Sequence, residues 1–246
     1  MIDRLLELQR QGRRAVLFTV VAGDALGSKL LVVEAGETAG DGPPELARHA
    51  DDLIRGGRSR TLELDGQTVF CEVYSPPPRL LVYGAVDTAE ALCRAARLLG
   101  WTTIVADARG KFATPERIPS ADELLVSWPD EAFAQVVPDH STAIVVLTHD
   151  DKFDLPALKG TLETDALYVG ALGSRRNQAR RRELLLEAGV PEEALDRIAG
   201  PCGLDIGAGT PAETALSIMG EILAVRAGRA GGPLKEGHQR IHAEVA

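Results

Sequence analysis

Four polar clusters in this chain each follow a short apolar run: Gly84-Ala85-Val86-Asp87, Asp107 with Arg109, Thr148-His149-Asp150-Asp151, and Gly173-Ser174-Arg175-Arg176. The last offers the clearest chemistry. Gly173 and Ser174 precede a helical pattern, and the first amides of a helix, aided by its dipole, attract anions. Arg175 and Arg176, continued by Arg180, Arg181 and Arg182, form a basic island in a protein of net charge -9. That combination suits a phosphate. The plainer reading makes Ser174 an N-cap and the arginines a solvated face. His149, between Thr148 and two aspartates, can serve as a general base or orient a ligand, or be a hydrogen-bonded structural imidazole. Asp205, in the glycine-rich stretch Gly203 to Gly209, either holds loop amides or faces a ligand. Asp107 lies twenty-three positions after Gly84, close to the separation at which dinucleotide-binding folds place a ribose-binding carboxylate. The glycine pattern there is incomplete. Val86 and Asp87 stand where a second glycine would let the backbone approach a pyrophosphate. Neither His-Glu-x-x-His nor Gly-x-Ser-x-Gly occurs, so metal-dependent hydrolysis and the serine-esterase elbow find no support.

These clusters need a scaffold that brings strand ends together. Leu80 to Tyr83, a helical pattern to Gly100 and Thr102 to Ala106 read as a parallel βαβ unit with strands buried on both faces. Alternation continues with a strand at Leu124 to Ser127, a helix at Glu131 to Val136 and a strand at Thr142 to Leu147. Asp154-Leu155-Pro156 is expected to open the next helix with Asp154 as N-cap. A strand at Leu167 to Val169 then leads through Gly173 into a helix stopped by Gly189. Thr210-Pro211-Ala212-Glu213 is a capping box with proline at the first helical position, predicting a helix from Pro211 to about Arg226. In an open parallel sheet, ligands bind beyond the carboxyl ends of the strands, which is where all four clusters fall.

The first 75 residues read differently. A helix containing Leu5, Leu6 and Leu8, strands at Ala15 to Val21 and Leu30 to Glu34, and a helix at Pro43 to Ile54 precede two strands joined at Asp65-Gly66, a hairpin turn. The expected organisation is an α+β domain over 1–75, a proline linker at 76–78, an α/β domain with a parallel sheet over 79–226, and a mobile tail over 227–246.

A length of 246 residues with 45% hydrophobic side chains supports one large or two modest domains. The negative charge disfavours nucleic acid as the main partner. No apolar run approaches the length of a membrane span and the amino terminus lacks a secretory pattern, so no membrane partner and a cytoplasmic location are expected. Cys71, Cys93 and Cys202 suggest neither a disulfide framework nor a zinc site; Cys71 and Cys93 read as small buried hydrophobes.

Taken in order, Asp107-Ala108-Arg109-x-x-Phe112-Ala113-Thr114, Leu147-Thr148-His149-Asp150, Tyr168 to Arg176, and Gly203 to Ala208 continuing through Thr210-Pro211-x-Glu213-x-Ala215-x-Ser217-Ile218 resemble signature segments of the XdhC/CoxI family. Members are accessory proteins of molybdenum hydroxylases such as xanthine dehydrogenase; they bind the molybdenum cofactor, a pterin with a phosphate or nucleotide tail, protect it and help insert it in sulfurated form. The resemblance implies a Rossmann-like carboxyl-terminal domain behind a smaller amino-terminal one. It also implies a partner in a subunit of a molybdenum hydroxylase, a second partner in a cysteine desulfurase, and a homodimer. As cofactor-binding residues it implies Gly84, Asp107, Arg109, His149, Asp150, Gly173, Ser174, Arg175, Arg176, Asp205, Gly207 and Thr210. The expected role is a carrier, not a catalyst.

The amino-terminal part departs from the family pattern. Members usually carry a Gly-Ser-x-Pro-Arg-x-x-Gly loop, then Gly-Gly-Cys and Cys-Gly-Gly segments; only Gly27-Ser28 is similar here. Cys202 and Gly209 replace the usual aliphatic and basic residues. Two other readings therefore stand beside the carrier: a divergent paralogue that docks on or regulates a molybdoenzyme, and an NAD(P)- or nucleotide-dependent oxidoreductase using Gly84, Asp107 and His149.

Overall fold

The structure, a computed structural model, describes residues 1–238. The chain divides into two compact units, Met1–Pro76 with the described residues from Gly232 onward, and Pro77–Gly231. Residues 239–246, the end of the tail expected to be mobile, lie outside the described residues.

The first unit runs α1 (Ile2–Arg10), β1 (Ala15–Ala22), β2 (Lys29–Val33), β3 (Thr38–Gly40), a 3-10 segment (Pro44–His49), α2 (Ala50–Gly56), β4 (Arg60–Leu64) and β5 (Gln67–Tyr74). Its antiparallel sheet has the order β3-β2-β1-β5-β4. Alternation along β1 and β2 sends Val16, Phe18, Leu30 and Val32 to the face covered by Leu46, Leu53 and Ile54. Leu17, Leu31 and Val33 face Leu5 and Leu8 instead. Asp65 and Gly66, at φ 53° and 76°, make the expected tight hairpin between β4 and β5. The single helix expected over Pro43 to Ile54 is two pieces, a 3-10 segment and α2, and Gly57 at φ 61° stops the second.

The second unit contains β6 (Arg79–Tyr83), α3 (Asp87–Leu98), β7 (Thr102–Ala106), β8 (Glu123–Leu125), α4 (Pro129–Val136), β9 (Thr142–Val146), α5 (Asp151–Leu162), β10 (Tyr168–Ala171), α6 (Arg175–Glu187), α7 (Glu192–Leu195), β11 (Ile198–Ala199) and α8 (Pro211–Arg226). All its strand pairs are parallel, in the order β8-β7-β6-β9-β10-β11. This is the doubly wound Rossmann arrangement, with the order reversing between β6 and β9. The four central strands, β6, β7, β9 and β10, are buried on both sides, as their unbroken apolar runs require. Leu80, Val82, Val145 and Leu147 pack beneath α3 and α8 through residues such as Leu92, Ile218 and Ile222. Leu81, Tyr83, Ile144 and Val146 pack beneath α4, α5 and α6 through Phe133, Leu158 and Leu185.

One expected helix start is corrected. Asp154 does not cap α5; Asp150 does, its carboxylate accepting from the Lys152 amide at 3.0 Å. Asp154 is turned into the interior in the first turn, and Pro156 sits one turn further along than expected. The cause is a buried arginine on α6, described next.

Candidate functional site

At the carboxyl ends of β10 and β11 a cleft of about 500 Å³ opens, one wall made by Gly173 to Arg176 and the other by Pro201 to Gly203 with Asp205. Ser174 caps α6, its hydroxyl accepting from the Asn177 amide at 3.2 Å. Gly173 adopts φ 147°, and a Cβ there would lie 3.3 Å from the Arg181 guanidinium. Glycine thus lets the strand turn into the helix over a buried cation. The amides of Arg175 and Arg176, the first two of α6, have no acceptor among the described residues, and neither exposed guanidinium has an anionic partner there. An anion in this cleft meets donors of both kinds.

The remaining arginines of the island do other work. Arg181 is buried, donates to the carbonyls of Leu172 at 2.7 Å and Thr148 at 3.0 Å, and is paired with Asp154. The Thr148 hydroxyl donates to the other Asp154 oxygen. Burial pushes the Asp154 carboxyl up, against the bonds from Thr148 and Arg181. This network ties the ends of β9 and β10 together under the cleft. Arg180 is paired with Asp151 at 2.6 Å, and Arg182 with Glu192 at 3.0 Å and Asp196 at 3.1 Å. Of the five arginines, Arg175 and Arg176 are the two turned to the cleft.

The opposite wall is anchored to α8. Glu221 accepts from the Gly203 amide at 2.7 Å and from the Tyr168 hydroxyl. Ser217 donates to the Leu204 carbonyl at 2.6 Å, and the Cys202 amide donates to the Ala171 carbonyl at 3.1 Å. Burial pushes the Cys202 thiol up to about 12, so it is a neutral group at ordinary pH and no thiolate faces the cleft. Sequence reasoning does not single out Glu221, although a carboxylate between Met219 and Ile222 on a buried helix face is itself a signal.

The sheet's switch point is more closed. Gly84, at φ 113°, is buried, and a Cβ there would lie 2.9 Å from the Thr148 methyl and 3.1 Å from its amide. Asp107 occupies the expected place at the end of β7, but its carboxylate is 1% exposed and turned inward. It accepts from the Ala85 amide at 3.0 Å, the Arg109 amide at 2.9 Å, and the Arg109 guanidinium at 2.9 and 2.8 Å. Burial alone would raise this carboxyl, and the Arg109 guanidinium and the two amides more than reverse it, holding it below the ordinary carboxylate value. The Asp107 carboxylate is thus hydrogen-bonded to Ala85 and Arg109 within the protein. His149 and Asp150 are exposed at the end of β9, next to the cleft but not lining it. Gly207 and Thr210 also lie outside its lining: Gly207 turns the loop at φ 71°, and the Thr210 hydroxyl accepts from the Glu213 amide as the N-cap of α8.

Residues 80–222 match the family described as the XdhC Rossmann domain. The chain belongs to the XdhC family. It is 32% identical over 179 residues to the uncharacterized protein YqeB of Escherichia coli K12, covering 71% of this chain and 33% of that protein. With a protein of Bacillus subtilis named as a probable subunit of xanthine dehydrogenase it shares 31% identity over 158 residues, 64% of this chain and 46% of that one. With the molybdenum cofactor insertion chaperone PaoD of E. coli K12 it shares 30% over 153 residues, 62% of this chain and 42% of PaoD. The XdhC chain thus spans a third to somewhat under half the length of these curated relatives. A crystal structure described as a xanthine dehydrogenase from Bacillus halodurans superposes with a TM-score of 0.71 at 23% identity, covering 92% of this chain and 66% of that one, which establishes the shared fold. No described helix of this XdhC protein is long and apolar enough to cross a membrane.

Proposed function

We propose that this protein is a molybdenum cofactor carrier whose phosphate-binding element is the cleft between Gly173–Arg176 and Pro201–Asp205. The observation that carries the reading is the pairing, on one open cleft, of two helix amides and two arginines that have no anionic partner among the described residues. The donor set fits a phosphate: charge-assisted hydrogen bonds are each worth about 1.5–3 kcal/mol, and a cleft of this volume lies within the ~300–1,000 Å³ usual for small-molecule sites. PaoD, named as a molybdenum cofactor insertion chaperone, supports the same class of ligand. When bound, the cofactor supplies redox chemistry to a client enzyme; the residues here bind and orient its anionic end. Arg175 and Arg176 hold the phosphate, the Ser174 cap fixes the direction of α6, and Glu221 with Ser217 keeps the opposite wall in place.

On this reading the protein passes its ligand to a molybdenum hydroxylase, works in the cytoplasm as a homodimer, and meets a cysteine desulfurase when the cofactor is sulfurated. The test is anaerobic purification from a host that makes the cofactor, followed by iodine oxidation and pterin fluorescence. Stoichiometric pterin is expected; its absence from the wild-type protein would overturn the proposal.

A further inference from the structure

Across β9 from the cleft, the loops after β7 and β8 meet the first turn of α5 in a layer of rings and cations. The Arg109 guanidinium, fixed by Asp107, lies between Phe112 and Phe153, 4.3 and 5.4 Å from their ring centres. Phe153 packs on Trp128 with ring centres 5.2 Å apart and planes inclined by 37°. The Lys152 ammonium sits 5.1 Å from the Trp128 ring centre and 5.7 Å from that of Phe153. Lys111 and Arg117 lie over Phe112 at 5.0 and 5.1 Å. Phe153 is buried behind Trp128, which is 40% exposed, whereas the other tryptophan, Trp101, is 3% exposed.

An open indole backed by a second ring and flanked by cationic side chains is a stacking platform with anion-seeking donors at its margin. Aromatic faces accept any planar heterocycle, and cations drawn to a ring's negative face can turn to the oxygens of a ligand stacked on it. Its location agrees with ligand binding on this edge of the sheet. Trp128 follows β8, at the edge of the sheet opposite β11, while Phe153 sits in the first turn of α5, whose Asp151 pairs with Arg180 of α6. The first turn of α5 therefore links the two, Phe153 packing on Trp128 and Asp151 pairing with α6, the helix that opens at the cleft.

We infer that Trp128, backed by Phe153 and flanked by Lys152, is a stacking subsite for the planar heteroaromatic ring of the same ligand whose phosphate enters the Gly173 cleft. This rests on the phosphate reading of that cleft. The ring is supplied either by the pterin or by the base of a nucleotide tail. The two sources share their stacking chemistry and are separated by the choice of probe.

The test titrates the whole protein with inorganic phosphate, ribose 5-phosphate, GMP and pterin-6-carboxylate, following both heat and tryptophan emission. At least one ring-bearing probe should quench emission saturably and bind at least tenfold more tightly than inorganic phosphate and ribose 5-phosphate. Inorganic phosphate should bind without quenching. Trp128→Leu should remove the tenfold advantage, while Trp128→Phe should keep it and lose the quench. GMP alone giving the effect would identify the base as the source, and pterin-6-carboxylate alone the pterin. If ring-bearing probes bind without quenching, or with equal affinity to wild type and Trp128→Leu, the stacking subsite is wrong while the cleft stands. If no probe binds, inorganic phosphate included, the phosphate reading falls and the subsite with it.

Discussion

Arg175 and Arg181 lie six positions apart on α6 and do opposite work. Arg175 faces solvent at the cleft, whereas Arg181 is buried against Asp154 and two carbonyls. Removing one partner of a buried ion pair leaves the other charged and desolvated, so Arg181→Ala should cost about 3–5 kcal/mol of stability, read from urea denaturation. Sequence does not distinguish the two, because a run of arginines carries no mark of which one turns inward. The mark lies on the partner: Asp154 shares its helix face with the buried Leu158 and Thr161, a face that an N-cap does not occupy. Asp107 gives a second residue-level test. Its folded carboxyl is held below the ordinary value near 3.8, so in acid the unfolded chain takes up protons first. The stability it contributes is present in full above that ordinary value and is lost as pH falls through the folded one. Thermal melts should therefore show Asp107→Asn well below wild type at pH 7, with the gap narrowing as pH falls from 5 towards 3; a constant gap would contradict the assignment.

At the scale of elements, legibility follows the local signals. The start of α8 is readable because Thr210, Pro211 and Glu213 state it in the chain itself: the Thr210 hydroxyl accepts from the Glu213 amide, and the Glu213 carboxylate accepts back from Thr210 and Gly209 at 2.9 Å. Thr210→Ala should cost about 0.5–2 kcal/mol in denaturant unfolding, the usual worth of a cap. Because α8 anchors the cleft wall through Ser217 and Glu221, the same variant should also weaken phosphate binding, by a smaller factor than Arg175→Ala. Strands β3 and β11, of three and two residues, leave no trace in the sequence pattern. They are too short to carry a period and exist because a neighbouring strand offers them hydrogen bonds. The wall from Pro201 to Asp205 is hidden for a related reason, since Glu221 holds it from 18 residues beyond Gly203 while also binding Tyr168, 53 residues away in the chain.

For the whole molecule, alternating strands and helices announce a parallel sheet, but strand order is a property of packing that no single segment carries. The order β8-β7-β6-β9-β10-β11 is what places β10 and β11 together and makes Gly173 and Asp205 walls of one cleft. It also separates that cleft from the Gly84 loop, where close packing against Thr148 leaves little room beside the backbone. An acidic protein with a local cationic cleft discriminates by position, not by overall charge. The most direct measurement is calorimetric titration of wild type and Arg175→Ala with cofactor released anaerobically from a molybdenum hydroxylase, alongside thermal melts. The account predicts binding by wild type, a loss of roughly ten- to a hundredfold in the variant, about 1.4–2.7 kcal/mol, and melting temperatures within a few degrees of each other. Equal affinities would contradict it.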